Sequence, residues 1–418
     1  MSSLRVRLRS AEAALAVPET ILEVPAKTGR RGLGEVVKHL LHARGFLGGA
    51  SLTFDFAVRD RLLQTSLAKH ALLHGISAED VVDVDFFVAA DEPKSAGATD
   101  HDDWVGSVCA LAPGRAATGA YNGSVGCVGG SGVPDFNAHE GAVKAMSACT
   151  IGGETLLATG GHDALLKCWA VKESGGVELR AVGAGHGNSI GAVAWSSAQH
   201  RRVATADWEG MLFLWQADGA ASETAPPTKR QKIEAQTLQL VPLETHKAHA
   251  QSVSGLAWAR GNALYSSSWD HSVKAWDAEK VEVTASANAG VVQTCLAWSP
   301  RHDFVASGGH DAAVRLWDGR ASGFSSKFAA HDKCVTGVAW RQDADFHLCS
   351  VGMDAQILLW DIRGGGRAPL RRLAAPPKLA SPLCVAWCDA DDKGDSSIFV
   401  GGDDAKLHEF SVGPALRT

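Results

Sequence analysis

The chain has 418 residues, 45% of them hydrophobic and 21% charged, with a formal net charge of −6. That length allows two or three domains, and that apolar fraction can bury a large core, which excludes general disorder. The acidic balance excludes a strongly basic nucleic-acid binder as a whole, though it leaves room for a local basic patch. Forty-five glycines and thirteen tryptophans against two tyrosines point to tight turns and a recurring Trp, the composition of a mainly β chain. The nine cysteines form no CxxC pair and read as small apolar thiols in the strands of a protein from a reducing compartment. The start, MSSLRVRLRS, lacks the apolar stretch of a secretory leader. No run approaches the ~20 apolar residues of a membrane span. A soluble intracellular protein with no membrane role is expected.

Residues 3–9 (SLRVRLR) alternate apolar and basic side chains, as a half-buried strand does. Residues 21–24 read as its hairpin partner. Residues 32–42 place Leu33, Val36, Val37, Leu40 and Leu41 on one helical stripe. Residues 51–56 alternate again, and 62–67 read as a short strand or turn. Residues 68–73 suggest a short helix closed by Gly75 as a left-handed cap. Residues 81–88 form a last strand with Asp83 and Asp85 on its open face. This order predicts an α+β ubiquitin-like domain over 1–90. It carries no terminal di-glycine, which argues against a conjugated modifier. Residues 91–100, small and polar with one Pro, are a linker.

From there one pattern recurs. A turn residue is followed six places later by an aromatic or apolar residue: Asn122/Val128, Asp163/Trp169, Glu209/Trp215, Asp270/Trp276, Asp311/Trp317, Asp354/Trp360 and Asp404/Phe410. Four places before the turn residue stands a hydroxyl: Thr118, Thr159, Thr205, Ser266, Ser307 and Ser350, with Val400 the exception. His101, His139, His186, His249 and His331 precede five of the units. Trp195, Trp258, Trp298, Trp340 and Trp387 mark another strand. The turn residues stand 41, 46, 61, 41, 43 and 50 apart, and periods of 40–45 suggest four-stranded propeller blades. A chain from His249 through Asp270 and Ser266 to Trp276 would satisfy polar groups that packing otherwise buries unpaired, at about 1–3 kcal/mol each. Ser307, Asp311 and Trp317, and Ser350, Asp354 and Trp360, are expected to repeat it. Their spacing argues against a metal or catalytic role.

These repeats resemble the WD-repeat family, from about residue 100 to 412. The resemblance implies a mainly β fold, a seven-bladed WD-repeat β-propeller over 101–418. The segment before His101 should supply the last blade's outer strand and close the ring. The longest interval holds an insert at about 218–245, expected to be mobile, with PPTKRQK inside it. Its Lys229, Arg230 and Lys232 are a nuclear-localisation candidate, or the charges of a solvated loop. The residue before each turn acid should lie on one face of the propeller. On that face Tyr121, Trp208 and Trp269 are the partner-binding candidates, since exposed aromatics are frequent at hot spots. Arg201, Arg202, Arg260 and Arg341 could add rim contacts or touch RNA.

The N-terminal stretch VPETILEVPA…GLGEVVKHLL…FDF…LLQTSL…HGISAEDVVDVDF resembles the Notchless-like N-terminal domain. With the propeller, the HDDWVGSV segment and the basic insert, the whole chain is similar to the nucleolar WD-repeat subunits of the PeBoW complex. That resemblance implies a non-catalytic assembly factor for the large (60S) ribosomal subunit, acting in pre-rRNA processing in the nucleolus and nucleoplasm. The implied partners are Pescadillo, the Block-of-proliferation or Erb-type WD protein, the AAA ATPase midasin and the 66S pre-ribosomal particle. A contact with pre-rRNA stays open. It also implies that one acidic residue before the last strand of the N-terminal module fills the metal site of midasin. By motif this is Glu79, with Asp80 the runner-up. No cofactor is expected, the Mg²⁺ belonging to the partner's site, where a carboxylate oxygen would complete the coordination. A Notchless-type factor is the near alternative, although that family carries an extra blade. Trp317-Asp318-Gly319-Arg320 and Trp360-Asp361-Ile362-Arg363 also resemble the WDxR box of cullin ubiquitin-ligase receptors. No phosphate loop, HExxH or GxSxG suggests an enzyme.

Overall fold

The computed structural model describes residues 3–10, 15–45, 52–59, 61–63, 65–73, 75–77, 80–89, 93–129, 133–172, 176–196, 201–217, 238–320, 323–342, 346–362, 369–390 and 395–413. Among them the strands form eight sheets, one in the N-terminal module and seven in the propeller. In the module, β1 (Ser3–Arg9) buries Leu4, Val6 and Leu8 and turns its arginines outward. It lies between β2 (Ile21–Pro25), antiparallel, and β5 (Val81–Val88), parallel; β3 (Phe54–Val58) and β4 (Arg61–Leu62) complete the sheet. Asp83 on β5 pairs with Arg7 and Arg9 across that outer face. Helix α1 (Arg30–Ala43) packs Leu33, Val37 and Leu41 onto the sheet, against Phe56 and Phe86. Helix α2 (Leu67–Leu73) ends where Gly75 takes φ +62 and the Ile76 amide donates back to the Ala71 carbonyl. That is a glycine stop with Ile76 buried beneath it.

Each propeller blade is built on four antiparallel strands, for example β20 (Val253–Trp258), β21 (Ala263–Ser268), β22 (Ser272–Asp277) and β23 (Glu282–Asn288). The second-to-third turn puts its fourth residue at positive φ in every blade: Gly123, Ala164, Gly210, His271, Ala312, Ala355 and Ala405. The third-strand tryptophans Trp215, Trp276, Trp317 and Trp360 are fully buried between blades. The ring closes where β6 (Lys94–Asp100) pairs antiparallel with β34 (Lys406–Val412), from Lys406↔Asp100 to Ser411↔Lys94. All seven residues of β6 are exposed.

The insert differs from expectation. Residues 218–237, with Lys229, Arg230 and Lys232, lie outside the described residues. The part expected to be mobile up to 245 is instead ordered from 238. There β18 (Leu238–Leu240) pairs in parallel with the outer strand of blade 2, β14 (Val177–Ala184), and β19 (Pro242–Lys247) is the outer strand of blade 3. The cause is apolar burial: Leu240 and, in part, Leu238 join the cluster around Trp195 and Trp215.

Candidate interaction surfaces around the propeller channel

Four blades hold the complete side-chain chain. In blade 4, His249 Nδ1 lies 2.9 Å from Asp270, its Nε2 lies 2.7 Å from Ser266 Oγ, and Trp276 Nε1 donates to that oxygen at 2.8 Å. The indole can only donate, so the Ser266 proton goes to Nε2 and Nδ1 keeps its own for Asp270. Blade 6 repeats this with His331, Asp354, Ser350 and Trp360. Blade 2 does so with His139, Asp163, Thr159 and Trp169. Burial acts to raise the Asp270 carboxyl, but hydrogen bonds from Ser272 and His249 outweigh it and hold it at about 2. Burial pushes the His249 and His331 imidazoles below their usual range against the pull of their aspartates.

Three blades depart from the expected pattern. In blade 3 the acid is Asp207, not Glu209: Asp207 is 1% exposed and lies 2.8 Å from His186 Nδ1, while Glu209 is exposed. Asp207 occupies the place of Gly161 in blade 2, where a Cβ would stand 2.5 Å from His139 Nδ1, so an acid built there already faces the histidine. In blade 5, Asp311 is not part of such a chain. It pairs with Arg315 and Lys327, while Ser307 donates to Gln293 at 2.8 Å. No histidine precedes this blade, so glutamine supplies the acceptor. In blade 1, His101 turns to Asp135 at 3.2 Å, and the side-chain oxygen of Asn122 accepts from the Ser124 amide.

The turn residues gather at one face. Trp208 is 44% exposed and Trp269 51%. Trp208 rests edge-on against His162, with ring centroids 4.8 Å apart. Tyr121 is partly covered, with exposed Trp104 edge-on to it at 5.7 Å. Arg341 is not a rim residue: it is 1% exposed, over the Trp387 ring and donating to the Gly413 carbonyl. Arg320 pairs with Asp318 of its own WDxR box, and Arg363 lies outside the described residues.

Sequence reasoning missed the neck of the channel. Each blade's innermost strand is bulged near its start, and a bulge leaves one residue out of the ladder. The residues concerned are Gly106, Lys144, Gly191, Ser254, Thr294, Thr336 and Leu383, and all line a central channel of about 700 Å³. The signal was available: where a His precedes the strand, the bulged residue is the fifth after it, as in His139 and Lys144. Ser254, Thr294 and Thr336 each donate to a carbonyl of the next blade, of Gln293, Val335 and Pro382, and so stitch blades 4 to 7 together. The opposite arc is different. Gly106 and Gly191 lie directly beneath Tyr121 and Trp208, whose rings would stand 2.8 and 3.1 Å from any Cβ placed there. Lys144, on the blade between them, sits 4.2 Å from the Tyr121 ring centroid and donates to its hydroxyl. Burial pushes the nearby Cys295 and Cys384 thiols up to about 12, so they stay protonated.

Residues 4–71 match the NLE (NUC135) domain, and residues 240–277, 281–318 and 323–361 match the WD domain, G-beta repeat. Along nearly its whole length the chain is similar to a Chlamydomonas reinhardtii protein named ribosome biogenesis protein WDR12 homolog: 31% identical over 95% of this chain and 94% of the relative. The chain belongs to the WDR12 family. WDR12 homologs of Oryza sativa subsp. japonica (29% identical, 96% of this chain and 95% of the relative) and Arabidopsis thaliana (28%, 83% and 84%) extend the match. As a WDR12-family chain it joins an NLE domain to seven blades. Of the residues that the resemblance nominates for a partner's metal, Glu79 lies outside the described residues, and Asp80 is exposed just before β5.

Proposed function

We propose that this chain is a non-catalytic assembly factor for the large ribosomal subunit, working in the nucleolus and nucleoplasm. The propeller holds the partner WD protein, in a complex with Pescadillo, and the N-terminal module is the handle for midasin. The observation that carries this reading is the near full-length match to ribosome biogenesis proteins, module and propeller together. The chemistry agrees with it. The buried His–Asp pairs of blades 2, 3, 4 and 6 are spent on holding strands together, so they serve structure rather than turnover. The exposed Trp208 and Trp269 suit protein docking.

In this reading Glu79 offers its carboxylate to the Mg²⁺ of midasin, where one oxygen takes the open position at about 2.0–2.1 Å. The described residues on either side of it are anchored, Ile76 by burial after α2 and β5 at the sheet centre. Glu79→Ala and Glu79→Asp should each abolish midasin co-purification, the second because the shorter arm misplaces the oxygen, while Pescadillo and the WD partner stay bound. Asp80→Ala should leave all three. Midasin recovered at the normal level with Glu79→Ala would overturn the handle. Purification of a cullin adaptor in place of Pescadillo would overturn the assembly role itself.

A further inference from the structure

We propose that the channel mouth over blades 1 to 3 is a socket for a single carboxylate side chain, carried on an extended and otherwise neutral or basic peptide segment, with Lys144 as its counter-charge. This deepens the reading of that face as a protein-docking surface and rests on it. Of the seven residues that the bulges turn into the channel, Lys144 is the charged one. Its ammonium has three donors, and the Tyr121 hydroxyl takes one. Among the described residues no carboxylate forms an ion pair with it. The hydroxyls across the channel are committed to carbonyls between blades, so they do not compete for a ligand.

The surroundings are shaped for an arriving side chain. Glycines at 106 and 191 let Tyr121 and Trp208 lie low on either side of Lys144. Trp104 and Trp269 stand exposed beyond them as apolar contacts for the neighbouring residues of the segment. Against the protein wall of the channel a pair of opposite charges attracts more strongly than in open water. The same blades also set the selectivity. Asp102, Asp103, Glu140 and Glu209 sit on their loops and turns on this face. A polyphosphate backbone would meet that acidic fringe along its length, whereas one carboxylate between neutral or basic neighbours passes it. The arrangement therefore favours a peptide over an RNA strand.

The probe is a phage-displayed library of random heptapeptides, selected on the full chain. The enriched sequences should share one Asp or Glu with neutral or basic neighbours. For the synthesised consensus peptide, replacing its acid by the amide should weaken binding to the unaltered chain about tenfold or more, the scale of a charged hydrogen bond. Lys144→Met should give a similar loss and Lys144→Arg should largely restore binding. An enriched set without an acid, equal binding of the amide peptide, or displacement of the peptide by a short single-stranded RNA would each overturn the socket. If Trp269→Ala abolishes binding while Lys144→Met does not, the docking face stands and the socket falls. If neither changes binding, both fall.

Discussion

Single residues set how two of the blades, 4 and 6, respond to pH. His249 and His331 are held neutral by burial, below the usual imidazole range. The unfolded chain has no such burial, so its imidazoles take up protons first as pH drops below about 6.5. The stability that these histidines contribute is therefore complete above that pH and declines as pH falls toward the lower folded value. Thermal unfolding followed by circular dichroism should show a midpoint that drops between pH 7 and pH 5, with a smaller drop in His249→Gln. An identical slope in the variant would refute the assignment. At this scale the sequence was legible wherever the repeat was regular. Asp270 and Asp354 stand at the expected turn position and meet the expected histidine. Glu209 stands there too, yet Asp207 does the bonding. Spacing identifies a position in a turn, but which carboxylate reaches the imidazole depends on Cβ direction, and that follows from the strand rather than the interval. Asp311 shows the same limit: without a histidine to face, it found Arg315 four residues on.

Among the elements, the outer strands carry the most varied work. Several are pinned by an apolar side chain, as Phe328 pins β27 (Phe324–Ala329) and Ala287 pins β23. β6 has no buried side chain, so its hold on β34 comes from the backbone ladder and the Lys406–Asp100 ion pair. A backbone change should therefore matter more there than a side-chain change. Thr99→Pro removes an amide donor of the Thr99–Leu407 pair and should open the ring, seen as faster limited proteolysis within 94–100 and a lower unfolding midpoint. Thr99→Ser should change neither; equal protease resistance of the proline variant would contradict this account. The module's elements were legible because β1 and α1 keep strict periods of burial. β18 was not, because a three-residue strand paired with a different blade leaves no local period to read. The bulges were missed for a related reason: an extra residue breaks the alternation on which strand reading rests.

The tasks proposed for the whole molecule lie far apart along the chain. The module that carries Glu79, the aromatic face with Lys144, and the basic insert draw on different residues and can be altered one at a time. Replacing Lys229, Arg230 and Lys232 by Ala should reduce nuclear accumulation of a fluorescent fusion while Pescadillo still co-purifies from whole-cell extract; unchanged accumulation would remove the insert from import. The seven-blade architecture and the order of its parts were legible from composition and repetition, because most blades bury a Trp at the same place and the others keep the spacing. The proposed docking chemistry was less so, since it rests on the turn and bulge positions that the repeat leaves free. The closing of the ring also sets a clock. Asp100 pairs with Lys406, 306 residues later. At ribosomal speeds of roughly 5–20 residues per second, β6 waits about 15–60 s after it is made before its partner exists. Through that interval it is an unpaired edge in a crowded cell. Its composition, KSAGATD, with two charges, a glycine and no large apolar residue, is what a strand needs to wait without joining the wrong neighbour.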